Sequence, residues 1–159
     1  MTNNDIFRRI RFIFDFNDSA MIALFGLAGS LVTREQVSEW LKQGDKPDFR
    51  ELDDSQMAIF LNGLIIKNRG QKDGPAFEPE SVLNNNIVFR KLRIALEFND
   101  VDVIAVMKLA GFPIGKQELS ALFRKPEHKN YRKCQDQMLR NFLKGLQIKF
   151  RPMEAAGEP

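Results

Sequence analysis

The chain has one cysteine, one histidine, one tryptophan and one tyrosine in 159 residues, and these scarcities exclude several kinds of protein. A lone thiol closes no intrachain disulfide, which fits a reducing compartment. One His and one Cys cannot make a conventional zinc site. No apolar run approaches the ~18 residues that span a bilayer. Charge interrupts the opening Ile6-Phe7-Arg8-Arg9-Ile10-Arg11, which does not read as a signal peptide. A soluble, cytoplasmic protein is expected, with no membrane partner. A Walker-type loop, a dinucleotide glycine pattern and a nucleophile elbow are all missing. Asp53-Asp54 and Asp45/Asp48 lack the glycine and closing Glu of a calcium loop. No cofactor is expected, and no alternation of period two is long enough to predict a strand.

What the chain does have is one segment written twice. Asn3–Arg69 lies over Asn85–Arg151 at a constant offset of 82 with no gap, and 23 of 67 aligned positions are identical. Phe16-Asn17-Asp18 matches Phe98-Asn99-Asp100, and Leu27-Ala28-Gly29 matches Leu109-Ala110-Gly111. A repeat this short buries a modest core by itself, so the two copies are expected to pack together. With 14 Phe, those cores are expected to be aromatic. The copies have parted in charge. Repeat one holds 9 Lys/Arg against 10 Asp/Glu, a net −1, and repeat two holds 14 against 6, a net +8.

The apolar spacing predicts four helices per repeat. The first carries Ile6, Phe7, Ile10, Ile13 and Phe14, matched by Val88, Phe89, Leu92, Ala95 and Leu96, with Asn3/Asn4 and Asn85/Asn86 as N-caps. The second starts at Asp18 or Asp100 as cap and ends near Gly29 or Gly111. The third opens on the capping box Thr33-Arg34-Glu35-Gln36, of which Gly115-Lys116-Gln117-Glu118 keeps only the Glu. Val37, Trp40 and Leu41, or Leu119, Leu122 and Phe123, are its core positions. The fourth buries Met57, Phe60, Leu61 and Leu64, or Leu139, Phe142, Leu143 and Leu146. Gly63 and Gly145 interrupt it at about 1 kcal/mol each relative to Ala, which points to close approach by another helix. Arg11 and Arg93 stand four residues before Asp15 and Glu97, the spacing of an ion pair along a helix. The expected architecture is all-α, with two tandem repeats of about four helices each, pseudo-two-fold related and packed together. Repeat one is 1–69, a Gly/Pro-containing linker is 70–84, repeat two is 85–151, and 152–159 is a flexible tail.

The most distinctive stretch runs from Leu119-Ser120-Ala121-Leu122-Phe123-Arg124-Lys125 through His128-Lys129-Asn130-Tyr131-Arg132-Lys133-Cys134 to Asp136–Leu146. With Asn3-Asn4-Asp5-Ile6 and Asp53–Leu64, it resembles the bacterial YehS-like family over almost all of Asn3–Arg151. The resemblance implies a small bacterial protein of two helical repeats. That family is a domain of unknown function, and it brings no substrate or catalytic residue with it.

Physically the stretch is a basic hairpin between the third and fourth helices of repeat two. Arg124, Lys125, Lys129, Arg132 and Lys133 surround His128, Asn130 and Tyr131, and Arg140 and Lys144 extend the charge four residues apart on one helix face. Such a cluster suits phosphate contacts, with a ring available to stack on a base. The plain alternative is a solvated basic face. A helix-turn-helix outline around Gly111 is shared by any short helical hairpin. His128, Cys134 and Asp136 suggest a nucleophilic trio. Their counterparts Lys46, Leu52 and Asp54 argue against it, because Leu52 shows that the cysteine position takes an ordinary apolar side chain. The expectation is a non-enzymatic protein that binds RNA or DNA through the phosphate backbone. The alternative is a module that binds a protein partner or itself through leftover apolar surface.

Overall fold

A computed structural model of the chain describes residues 1–71 and 78–152. Within them lie eight helices: α1 (Asn3–Phe14), α2 (Asp18–Leu27), α3 (Arg34–Leu41), α4 (Asp54–Arg69), α5 (Asn85–Ala95), α6 (Asp100–Leu109), α7 (Lys116–Leu122) and α8 (Asp136–Phe150). Among the described residues there is no strand. The chain divides into two compact units between Leu83 and Asn84. Leu83 N donates to Asp54 Oδ2 (2.9 Å), so the end of the linker is tied to the start of α4. Residues 72–77 of the expected linker and 153–159 of the expected tail lie outside the described residues.

Each unit is built on the same plan: α2 packs on α4 and α3, as α6 packs on α8 and α7. Phe7, Phe25, Trp40 and Phe60 fill the first core, with Phe7 edge-on to Phe60 (ring centroids 4.7 Å) and Phe25 stacked on Trp40 (5.4 Å). Pairs of this kind add ~0.5–1.5 kcal/mol beyond their burial. In the second unit Met107 and Leu122 replace Phe25 and Trp40. Its rings are Phe89 stacked on Phe142 (4.2 Å) and edge-on to Phe123 (5.3 Å). The expected fourth-helix residues Met57, Phe60, Leu61, Leu64, Leu139, Phe142, Leu143 and Leu146 are all buried.

Gly63 and Gly145 mark where two backbones touch. A Cβ on Gly63 would overlap Leu24 O and stand 2.6 Å from the Leu24 carbonyl carbon. On Gly145 it would overlap Val106 O and stand 2.7 Å from Val106 Cγ1. The glycines let α4 and α8 seat directly on α2 and α6. Gly29 (φ 85°) and Gly111 (φ 76°) end α2 and α6 in left-handed geometry. Ser30 N reaches Phe25 O and Phe112 N reaches Met107 O, both at 3.0 Å, which closes a Schellman turn in each unit.

The caps differ from the sequence expectation. Thr2 and Asn84 cap α1 and α5, one residue ahead of the expected pairs. Asn4 and Asn86 are buried, where they clamp the loop into the fourth helix. Asn4 Nδ2 donates to Trp40 O (2.9 Å) and Arg50 O (2.8 Å), and its Oδ1 accepts from Leu52 N (3.0 Å). Asn86 repeats the set with Leu122 O (3.0 Å), Arg132 O (2.8 Å) and Cys134 N (2.9 Å). Asn3 and Asn85 add bonds to Asp54 and Asp136, each at 2.7 Å. Only a side chain carrying both donor and acceptor satisfies these three backbone groups at once.

The caps of α2 and α6 are Asn17 and Asn99 rather than Asp18 and Asp100. The aspartates sit one residue inside, where they hold Arg11 (2.6 Å) and Arg93 (2.7 Å). The ion pairs thus span two helices, because α1 ends at Phe14 and Asp15 turns left-handed (φ 55°), as Glu97 does (φ 56°).

Candidate nucleic-acid interface

The basic hairpin of the second unit is a braced loop. Asn86 holds the Arg132 carbonyl and the Cys134 N–H, and Arg132 N donates to Ala121 O (3.0 Å). Two tight turns shape its tip, His128 N to Lys125 O (2.9 Å) and Tyr131 N to His128 O (3.0 Å). His128 Nδ1 accepts from Asn130 N (3.0 Å), which leaves Nε2 as its protonated nitrogen when neutral. The first unit builds the same turns at Lys46 and Phe49, and Arg50 N donates to Glu39 O (3.1 Å). The backbone frame is therefore shared, and the differences lie in the side chains mounted on it.

Arg124, Lys125, His128, Lys129, Asn130, Arg132, Lys133, Arg140 and Lys144 are all exposed, and Tyr131 is half-buried. Arg124, Lys129, Asn130, Tyr131, Arg132 and Lys133 line one wide depression of about 1310 Å³ beside α7 and the start of α8. Lys125, His128, Arg140 and Lys144 lie outside that lining. Arg140 bonds instead to Gln137 Oε1 (3.1 Å). The depression also takes in residues outside the basic cluster of the sequence, namely Phe112, Lys116, Gln117, Gln135, Gln137 and Met138. The repeat alignment carries a signal for them, because four of the six change chemical character between copies. Their counterparts are Ser30, Arg34, Glu35, Asp53, Ser55 and Gln56.

The electrostatics differ sharply between the two frames. In the first unit Lys42 pairs with Asp48 (3.2 Å) and Arg50 with Glu39 (3.6 Å). The same cations persist in the second unit as Arg124 and Arg132, but Asn130 and Ala121 stand where the two acids were. Among the described residues no carboxylate pairs with Arg124, Lys129, Arg132 or Lys133. Five cations and one carboxylate, Glu118, line the depression. Glu118 is itself turned toward the start of α7, where it accepts from Gly115 N (3.4 Å).

Cys134 is buried, its Sγ directed at Gln135 O (3.7 Å). Burial, with the Asp136 charge adding to it, pushes the thiol up to about 12. That is the reverse of what a nucleophilic thiolate needs. No hydrogen bond among the described residues joins His128 to Cys134. Asp136 accepts from Asn85 at the start of α8. The helix-turn-helix outline also fades, because six residues, 110–115, separate α6 from α7 where that motif uses ~3–4. No described helix is long and apolar enough to cross a membrane. Among the described residues no group of three or more His, Cys, Asp or Glu is placed to hold a metal ion.

The family model "Protein of unknown function (DUF1456)" matches the chain twice, over residues 3–70 and 85–151. The chain is 41% identical over 147 residues to the uncharacterized protein YehS of Escherichia coli (strain K12), covering 92% of this chain and 94% of that one. No solved structure matches it. The chain belongs to the DUF1456 family, and each of the two matched segments is one helical unit.

Proposed function

We propose that the second repeat of this family member is a non-enzymatic, cytoplasmic nucleic-acid-binding surface that grips the phosphate backbone through the basic depression. The observation that supports this most is the missing pair of acids. Lys42 and Arg50 are neutralised by Asp48 and Glu39 in the first unit, whereas Arg124 and Arg132 hold the same places on the same frame without them. Unpaired, exposed guanidinium and ammonium groups on a braced loop are free to take phosphate oxygens in a fixed geometry. The inert thiol of Cys134 favours binding over covalent chemistry at this face.

Restoring the first unit's acids tests the reading directly. If all five lining cations meet phosphates, log affinity should fall against log salt with a slope of about 3.5 to 4.5. Ala121→Glu with Asn130→Asp should re-pair Arg132 and Arg124, lower the slope by about 1.5 and weaken binding on every sequence. Asn130 is exposed, so its exchange should leave thermal stability nearly unchanged. Ala121 is buried, so Ala121→Glu is expected to cost some stability, and the melting midpoint is measured beside the affinity. Unchanged affinity in a stably folded double variant would refute the proposal, as would failure of single-stranded RNA, single-stranded DNA and duplex DNA all to bind at low salt.

The interaction-module reading has its own observation, the exposed apolar residues Leu31 (97% exposed), Leu27 and Leu109, the last two an aligned pair that is apolar and open in both copies. Association through such a surface is insensitive to salt where phosphate binding is steeply sensitive.

A further inference from the structure

The side chains between the cations have changed in a direction that phosphate contact alone does not require. Ser30 and Gln56 of the first unit correspond to Phe112 and Met138, both half-buried, as Tyr131 is, in the lining of the depression. Glu35 and Asp53 correspond to Gln117 and Gln135, which line it. Repeat two has thus exchanged polar floor residues for apolar ones and carboxylates for amides, in the place where it lost its paired acids.

Gln135 gives the exchange a cost. Asp53 caps α4 by accepting from Gln56 N (2.8 Å), whereas Gln135, at the same position of α8, makes no side-chain cap bond. A lost cap of this kind costs ~0.5–2 kcal/mol. The amides of Gln117 and Gln135 make no hydrogen bond with any described residue. Each therefore offers a donor and an acceptor side by side to an outside group.

We propose, resting on the phosphate-binding reading above, that the depression takes unstacked nucleotides of a single-stranded polynucleotide. Arg124, Arg132 and their neighbouring lysines hold the phosphates. Phe112, Tyr131 and Met138 supply the surface on which bases lie, and Gln117 and Gln135 read base edges. Three features select this ligand over a bare polyanion or a duplex. An apolar floor gives nothing to an inorganic anion but stacks on any base. An amide pairs in bidentate fashion with a base edge such as that of adenine. At about 1310 Å³ the depression exceeds the ~300–1,000 Å³ of common small-molecule pockets, as a polymer site should. A duplex keeps its base faces stacked inside, where the floor cannot reach them.

The test is a calorimetric titration of the full chain with short oligo(A) as RNA and as DNA, oligo(dT), a DNA duplex, and inorganic polyphosphate as a backbone without bases. The wild type should bind single strands more tightly than duplex or polyphosphate of equal charge. Phe112→Ser with Met138→Gln restores the side chains that the first unit carries in the same Schellman turn and first helical turn, so folding is preserved. It should lose about tenfold or more on single strands and nothing on polyphosphate. Gln117→Ala with Gln135→Ala should lose about tenfold on oligo(A) with a smaller loss on oligo(dT). Tyr131→Phe should retain binding that Tyr131→Ala loses. The RNA and DNA arms identify which sugar the site accepts, and tighter binding of either single strand supports the inference. Equal affinity for polyphosphate and single strands, with neither double variant separating them, overturns base reading and leaves the backbone reading standing. Absence of binding to every polyanion overturns both.

Discussion

Gly63→Ala is a test in which the sign of the effect decides. In an exposed helix interior the change stabilises by about 1 kcal/mol, because Gly carries the backbone entropy penalty and Ala does not. Here the new methyl would overlap Leu24 O and stand 2.6 Å from the carbonyl carbon behind it. Ordinary carbon contacts lie at ~3.5–4.0 Å, so α2 and α4 must part by roughly an ångström. The obstructing atoms are backbone in the middle of α2, with no side chain to rotate away. Overpacking of this kind costs ~1–3 kcal/mol and at times more, so the expected net loss is about 2 kcal/mol. In a unit of this size that lowers the melting midpoint by about 10 °C. Gly145→Ala should lose less. Its nearest obstruction is also backbone, Val106 O, but that overlap is shallower than the one with Leu24 O, and the next neighbour, Val106 Cγ1 at 2.7 Å, is a side-chain atom. Circular dichroism through urea and heat reads both. A raised midpoint for Gly63→Ala would refute direct seating of α4 on the α2 backbone.

Asn86→Ala should destabilise the second unit by about 3 kcal/mol or more, since it strands two carbonyls and one N–H in a buried place at ~1–3 kcal/mol each. Hydrogen exchange should then show the Cys134 amide losing protection before those of α8. Cys134→Ala should cost about 1 kcal/mol or less and Cys134→Ser somewhat more, and in the folded wild type the thiol should resist iodoacetamide at neutral pH. The sign follows from burial: a thiol raised to about 12 in the fold against an ordinary value near ~8.5 stabilises fully below the ordinary value. That contribution is lost as pH rises between the two. Rapid alkylation of the native protein at pH 7 would contradict it.

Helix order, most of the buried apolar positions and the meaning of Gly63 and Gly145 are legible in the sequence because period and duplication are linear signals. Phe14, Leu41, Leu96 and Phe123, expected on the same apolar faces, are half-buried at the ends of their helices. Each apolar position was read twice, at i and at i + 82. The errors share one cause. Asn3-Asn4 and Asn85-Asn86 have the look of caps because short polar residues before an apolar run usually are. Their actual partners, Trp40 and Arg50 or Leu122 and Arg132, lie tens of residues away, and no local pattern reveals them. Helical spacing pairs Arg11 with Asp15, but α1 stops at Phe14 and the guanidinium reaches Asp18 instead. The exposed cations of the candidate site were legible as a cluster. The depression was not, because Phe112 comes from the turn after α6, Gln117 from α7 and Gln135 from the cap of α8. Only packing puts those three segments side by side.

The internal comparison also bears on why the charge is there. A basic face that serves only to keep a protein dispersed gains nothing from apolar residues set into it, and large apolar patches among surface charges work against solubility. Between the first unit and the second, Asp48, Glu39, Glu35 and Asp53 became neutral, while Ser30 and Gln56 became Phe and Met. The clamp of Asn4 or Asn86, the turns at Lys46 or His128 and the bracing N–H of Arg50 or Arg132 stayed fixed. Other exposed positions differ too, Ser19 against Val101 and Gly26 against Lys108 among them. Those around the depression combine fewer carboxylates with more apolar side chains and forgo an N-cap and two ion pairs that the first unit has. Stability therefore does not account for them, and a ligand that wants cations at the rim and flat apolar surface at the floor does.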